Sequence, residues 1–102
     1  MEYEQSIEGN NIVDFGSFHS EFVNEFRFSS GYGHNMNAWL DCMRDIYTNG
    51  EYESLTKFNL YDADKFTLVV KNSKIWSTNS PETYEAFIDY SKTLEEEIPL
   101  FK

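Results

Sequence analysis

The stretch SSGYGHNMNAWLDCM, residues 29–43, sets two glycines around a tyrosine and then opens a helix. Gly31 and Gly33 can reach backbone angles with φ > 0 at little steric cost, which suits a sharp bend just before a helix N-terminus. That bend either holds Tyr32 out at the surface or folds it back into the core. Asn35 belongs to the residue types that cap helices best, because its side-chain oxygen can accept from an orphan backbone N–H. Beyond it Met36, Trp39, Met43 and Ile46 recur at helical spacing, with Cys42 beside them. The spacing predicts a helix over about Asn35–Thr48 with that face turned inward. Asn37, Asp41, Arg44 and Asp45 fall on the opposite, polar face, where Arg44 can pair with Asp45 or Asp41.

Upstream, VDFGSFHSEFVNEF (13–26) places Phe15, Phe18, Phe22, Val23 and Phe26 on one helical stripe, with Asp14 or Ser17 as N-cap. His19 falls on the polar side of this helix and is expected in solvent. Before it, YEQSI (3–7) alternates in the manner of a strand, and EGNN supplies a turn. Downstream, NGEYES (49–54) reads as turn and loop. LTKFNL (55–60) and KFTLVVK (65–71) both read as strands, joined at YDAD by a hairpin connection. The second is apolar enough from Phe66 to Val70 to be buried on both faces. SPET (80–83) starts a helix, with Ser80 as cap and Pro81 in the first turn, that continues through Tyr84, Phe87, Ile88 and Leu94. The acids EEE (95–97) oppose the helix macrodipole, so the helix is expected to end there and lead into a last short strand, IPLF (98–101). The order β-α-α-β-β-α-β predicts one small α/β domain over 1–102. Its core is expected to be a three- to four-stranded, mostly parallel sheet with helices packed on it.

Composition narrows the function classes. The chain has 102 residues, 18 acids against 8 bases, and a formal charge of −10. Residues 1–43 hold seven acids and one base, Arg27. A field of that sign repels nucleic acid and anionic membranes and attracts a basic protein. No apolar run reaches the roughly 20 residues of a membrane span, and the opening MEYEQSIEGNN lacks the basic and apolar regions of a secretion signal. The single cysteine, Cys42, rules out an intramolecular disulfide and suits a reducing, cytoplasmic setting. Its place on the apolar side of a helix predicts an inert, buried thiol.

Signals for catalysis or cofactors are weak. GYGHNM starts like a dinucleotide-binding loop, but Met36 stands where the third glycine is needed, and no P-loop is present. No His, Cys and Asp spacing fits a metal site. His34 has no partner visible in sequence that would make it a general base. The residues predict neither an enzyme nor a bound cofactor or metal.

YGHNMNAWLDCM (32–43) resembles the YGENLDALWDCL stretch of the barstar-related family, whose namesake is the cytosolic inhibitor of the ribonuclease barnase. Tyr32, Gly33, Asn35, Ala38, Asp41 and Cys42 match position for position, and Met36 and Met43 replace leucines. The NMNAWLDCM version is similar to a variant that recurs among divergent members of that family. The resemblance extends loosely over the chain through a like order of strands and helices, with 49–64 as an insertion. It implies a bacterial immunity protein that plugs a ribonuclease toxin, or another basic nuclease, before the toxin leaves its producer. It implies a monomer when free. Asp41 would stand in for a substrate phosphate in the toxin's cationic site, while Tyr32 and Gly33 shape the loop and Asn35 holds the helix start. His34, Asn37 and Asp45 would be its neighbours in the partner-binding site. The chain departs from the family in three ways: Asn37 replaces an aspartate, Gly31 replaces a tyrosine, and the tryptophan moves to Trp39, leaving Leu40 at the exposed margin. These bear on the target more than on the architecture. The rival reading keeps the fold as a regulatory or assembly module with a partner that is not a toxin.

Overall fold

In the computed structural model, which describes residues 1–97, two parallel strands set the frame. β1 (Glu2–Glu8) pairs with β2 (Lys65–Lys71), Glu2 opposite Lys65 and Glu8 opposite Lys71. Parallel strands cannot be closed by a tight turn, so the chain crosses between them through helices. The crossover holds α1 (Phe15–Phe26) and α2 (Met36–Arg44), and α3 (Ser73–Asn79) and α4 (Pro81–Glu97) follow β2. The fold is α/β and its strand pair is parallel, as expected.

At the end of β1 the chain tightens into a 3-10 turn, Gly9–Asn11, against the end of β2. A Cβ on Gly9 would lie 2.6 Å from the Asn72 carbonyl oxygen and 2.7 Å from that of Lys71, so only glycine fits without backbone movement. Glu21 of α1 is buried here and accepts from the Glu8 N–H at 2.8 Å and the Asn11 side-chain amide at 3.0 Å. α1 itself opens with a capping box. Asp14 Oδ1 accepts from the Ser17 N–H at 2.7 Å, and Ser17 Oγ accepts from the Asp14 N–H at 3.1 Å. Asp14 is therefore the N-cap and Ser17 its reciprocal partner.

Phe18, Phe22 and Phe26 of α1 are fully buried and touch nearly every other element. Phe18 meets Trp39, Trp76 and Phe87 at ring separations of 5.9–6.3 Å, and Phe26 meets Phe58 and Phe66 at 5.7 and 6.0 Å. Trp76 locks α3 to α4 through its indole N–H, which donates to Thr83 Oγ1 at 2.8 Å; that hydroxyl in turn donates to the Ser80 carbonyl at 2.9 Å.

Several expectations are corrected. The sheet has two strands among the described residues, because 55–60 is not a strand. Its backbone is tied elsewhere: Lys57 N–H donates to Phe26 O, Leu60 N–H to Ile46 O, and Thr56 Oγ1 accepts from Phe58 N–H. Local side-chain bonds of this kind compete with a ladder. YDAD (61–64) is accordingly a turn into β2 and not a hairpin, with Asp64 N–H donating to Tyr61 O at 2.8 Å. β2 buries Phe66 and Leu68 on one face, while Thr67 and Val69 on the other are only half covered. Phe15 is 42% exposed, since it lies in the first turn of α1, beyond the edge of the core. α2 stops at Arg44 and not near Thr48, with the Asp45 N–H reaching back to Cys42 O and Met43 O. α3 has no counterpart among the expected elements; one buried anchor, Trp76, in seven residues shows no stripe. α4 begins at Pro81 as expected but runs on through EEE to Glu97. Unfavourable charge at a helix C-terminus costs only about 0.3–1 kcal/mol, less than burying Leu94 gains. The expected strand IPLF lies outside the described residues.

Gly9→Ala should destabilise the fold by about 1–3 kcal/mol, as overpacking against fixed backbone does. Gly31→Ala, with nothing within 4 Å of its added Cβ and no positive φ, should change stability by less than about 1 kcal/mol. Urea midpoints of the two variants test the contrast.

Candidate functional site

The chain leaves α1 through Arg27, whose φ of 55° turns it sharply out of the helix. Buried Phe28 follows, and the loop is then pinned twice: Ser29 N–H donates to Leu55 O at 2.9 Å, and Tyr32 N–H to Ser29 O at 3.0 Å. Neither Gly31 nor Gly33 takes a positive φ; His34 does, at 52°. The expected use of the glycines is thus corrected, since the turn at 29–32 and the left-handed His34 make the bend. Gly33 matters for space instead. A Cβ there would sit 3.1 Å from the Asn35 side-chain amide nitrogen.

Tyr32 is folded into the core, and its hydroxyl is hydrogen-bonded to His19 Nδ1. His19 is only 3% exposed, not solvated as expected, because the loop closes over that side of α1. The rings of His19, Tyr32 and His34 lie within 5.0–5.8 Å of one another, and Phe28 stacks obliquely on Tyr32 at 4.8 Å. Burial, reinforced by the nearby His34, holds the His19 imidazole below the ordinary histidine value. Burial, with a smaller contribution from Cys42, pushes the Tyr32 phenol well up.

Asn35 caps α2 by accepting from the Ala38 N–H at 2.8 Å, and its amide donates to Gly33 O at 3.3 Å, so one side chain joins loop to helix. Trp39 and Met43 anchor α2 in the core. Leu40 is also buried, at 8% exposure, and does not form the exposed margin expected of it. α2 packs against α4 as well as bordering the loop, so more of its surface is covered than a single inward stripe requires. Asp41 projects outward with its side chain 69% exposed, and Arg44 Nη1 reaches it at 3.2 Å. Asn37 is exposed one turn earlier. Asp45 ends the helix, and its charge acts on the Tyr52 phenol, whose titration is raised first by partial desolvation and then by Asp45.

Loop and helix enclose a depression of about 330 Å³. Gly31, Tyr32 and Gly33 form one side, Ala38, Asp41 and Cys42 another, and Leu55 closes it. Tyr32, Gly33 and Asp41 thus converge, whereas His34, Asn35, Asn37 and Asp45 lie on the same two elements outside the lining. Leu55, 41% exposed, comes from the 49–64 segment, and sequence reasoning missed it. An apolar residue in a strand-like hexapeptide carries no sign that its carbonyl will hold Ser29. A second cavity of about 300 Å³ lies between β2 and α4. His34 lines neither, so neither joins it to a carboxylate as acid–base chemistry would require. Among the described residues, no helix is long and apolar enough to cross a membrane, and no three His, Cys, Asp or Glu side chains are placed to hold a metal.

In comparison with known proteins, the model of the family described as Barstar (barnase inhibitor) matches residues 4–99. No curated protein matches the chain.

Cys42 is buried, and burial together with the charges of Asp45 and Asp41 pushes its thiol up to about 11. At pH 8 the folded protein should therefore react with an aromatic disulfide reagent far more slowly than the urea-unfolded chain, whose thiol returns to about 8.5. Equal rates in the two states would contradict this burial.

Proposed function

The chain belongs to the barstar (barnase inhibitor) family, and we propose that it is an immunity protein that binds and blocks the cationic active site of a ribonuclease toxin. The observation that carries the reading is Asp41: an outward carboxylate on a capped, core-anchored helix, beside a depression shaped by Tyr32 and Gly33. A ribonuclease site must stabilise a phosphate, so it presents positive charge that a fixed carboxylate can occupy. The resting contact to Arg44 is an exposed ion pair worth at most about 1 kcal/mol, so a toxin guanidinium or ammonium can displace it at small cost. Fixing Asp41 on α2 lowers the ordering cost of binding, and the net charge of −10 speeds the approach of a basic partner.

Around that anchor, Tyr32, Gly33, His34 and Asn35 supply the loop edge, and Asn37 and Asp45 extend the polar face of α2. Leu55 adds an apolar contact at the rim. Asn37 accepts hydrogen bonds through its amide oxygen but brings no charge, and Gly31 brings no side chain, so binding to barnase itself is expected to lack the contacts that an aspartate and a tyrosine at these positions would make. The protein is a one-domain monomer until it meets the toxin, acts in the bacterial cytoplasm where the toxin is made, and has no enzymatic activity of its own.

Calorimetric titration into barnase and a panel of basic bacterial nucleases, at low and moderate salt, tests the reading. Salt-sensitive binding that stops RNA cleavage is expected. Asp41→Ala should weaken it by about 2 kcal/mol or more, roughly thirtyfold, while Glu85→Ala, at an exposed position of α4, should change it by less than about 0.5 kcal/mol. Leu55→Asp should weaken it measurably without lowering the urea midpoint. Equal losses at Asp41 and Glu85 would remove Asp41 from the centre of the interface. Absence of binding to every nuclease would turn the search towards a partner that is not a toxin.

A further inference from the structure

One asparagine–glycine pair occurs in the chain, Asn49–Gly50, and the inhibitor reading makes no use of it. The pair sits at the tip of a turn that the Glu51 N–H closes by donating to Thr48 O at 3.0 Å. Asn49 has a φ of 55° and Gly50 a φ of 74°. Two successive positive φ angles mark the type I′ turn, which Asn-Gly favours. Both residues are exposed. One residue grips both ends of the Asn49 side-chain amide: its Nδ2 donates to Asp62 Oδ1 at 3.1 Å, and its Oδ1 accepts from the Asp62 N–H at 2.8 Å. The Asn49 N–H donates to Leu60 O at 2.9 Å. These three bonds close the segment 49–62 on itself. The Gly50 N–H meets no acceptor among the described residues.

We propose that Asn49 is a self-modifying site: when its clasp with Asp62 opens, the Gly50 backbone nitrogen displaces the Asn49 side-chain amide, and the acid that results opposes reclosing. The step balances without a cofactor. Gly50 N gives its proton to water or hydroxide and bonds to Asn49 Cγ. The Cγ–Nδ2 bond breaks, and that nitrogen takes up a proton and leaves as ammonia. Water then opens the five-membered imide at either carbonyl, leaving aspartate or isoaspartate at position 49. Glycine permits the attack because it sets no Cβ beside the attacking nitrogen. The fold also demands glycine here, since a Cβ would lie 2.9 Å from the Tyr61 hydroxyl at a positive φ. The turn thus keeps the residue that makes its neighbour labile.

The clasp sets the rate. Attack turns the planar amide tetrahedral and pulls its oxygen and nitrogen away from the positions at which Asp62 holds them. Conversion therefore proceeds from the open turn and is slow in the closed one. The product changes the sign of the contact. A carboxylate still accepts from the Asp62 N–H, but where Nδ2 donated it sets an oxygen against Asp62 Oδ1, and two like charges at that distance repel. Isoaspartate also lengthens the backbone by a methylene within the turn. The change stays local, because Leu55 O is held separately by the Ser29 N–H and the Lys57 N–H by Phe26 O.

The test follows the full-length protein at pH 8, folded and unfolded in urea, by peptide mapping that separates aspartate from isoaspartate. Asn49 should convert in both states, more slowly in the folded one, while Asn59, which precedes leucine, stays unchanged as the internal control. Asp62→Ala removes the acceptor of the clasp and should raise the folded rate roughly tenfold without altering the unfolded rate. Asn49→Asp carries the product. Its Asp62 and Glu51 amides should exchange roughly tenfold faster than those of the unmodified chain, while amides of α1 and β2 keep their protection. A folded chain that stays unmodified at Asn49 while the unfolded chain converts fully would overturn the proposal. So would a folded rate indifferent to Asp62→Ala, or turn amides as well protected in Asn49→Asp as in the wild type. If Asp62→Ala does not fold, the wild-type time course and the exchange of Asn49→Asp decide. No readout here involves a nuclease, so the outcome is independent of the inhibitor reading.

Discussion

The packing of one aromatic stripe, Phe18, Phe22 and Phe26, is the constraint on which the rest of this structure depends. Each ring is fully buried, and between them they reach α2 through Trp39, α3 through Trp76, α4 through Phe87 and β2 through Phe66. Large rings bury much apolar area and hold preferred tilted or edge-on geometries, so a single helix can set the distance and angle of several neighbours at once. Phe22 lies edge-on to Trp39 at 5.6 Å and stacks on Phe28 at 6.2 Å. The start of the loop that precedes α2 is thereby held by the same ring that packs against α2.

This shared anchor explains how a loop with few regular backbone bonds has a defined shape. Among the described residues its backbone–backbone hydrogen bonds are two, from Ser29 to Leu55 and from Tyr32 to Ser29. The remainder of its order comes from burying Phe28 and Tyr32 and from the Asn35 side chain, which caps α2 while bonding Gly33. Loop and helix are thus tied to the core by the same contacts, and Asp41 stands on that anchored helix although its carboxylate is in water.

The segment 45–64 plays a different part. It has no helix or strand, yet its polar groups are widely satisfied: Asn49 with Asp62, Thr48 with Asn59, Ser54 with Thr56. It carries Tyr52, Leu55 and Tyr61 at the surface, and Leu55 joins the wall of the depression. An irregular segment held by side-chain bonds can change its exposed residues without disturbing the core.

The sequence by itself determined whatever depends on near neighbours along the chain. The α1 stripe, the Asp14 and Asn35 caps, the start of α4 at Pro81 and the outward side of Asp41 were all legible, because helical periodicity and capping act over three or four residues. The motif at 32–43 was legible for the same reason: its residues form one loop-to-helix unit. What only the tertiary structure decided involved partners far apart in sequence. His19 is buried because Tyr32 returns over it, Gly9 is required because the Lys71 carbonyl at the end of β2 lies 2.7 Å from its missing Cβ, and 55–60 is not a strand because Phe26, Ser29 and Ile46 take its backbone groups. Each of these depends on a contact whose second member is chosen by packing, and local pattern carries no information about which distant residue will be there.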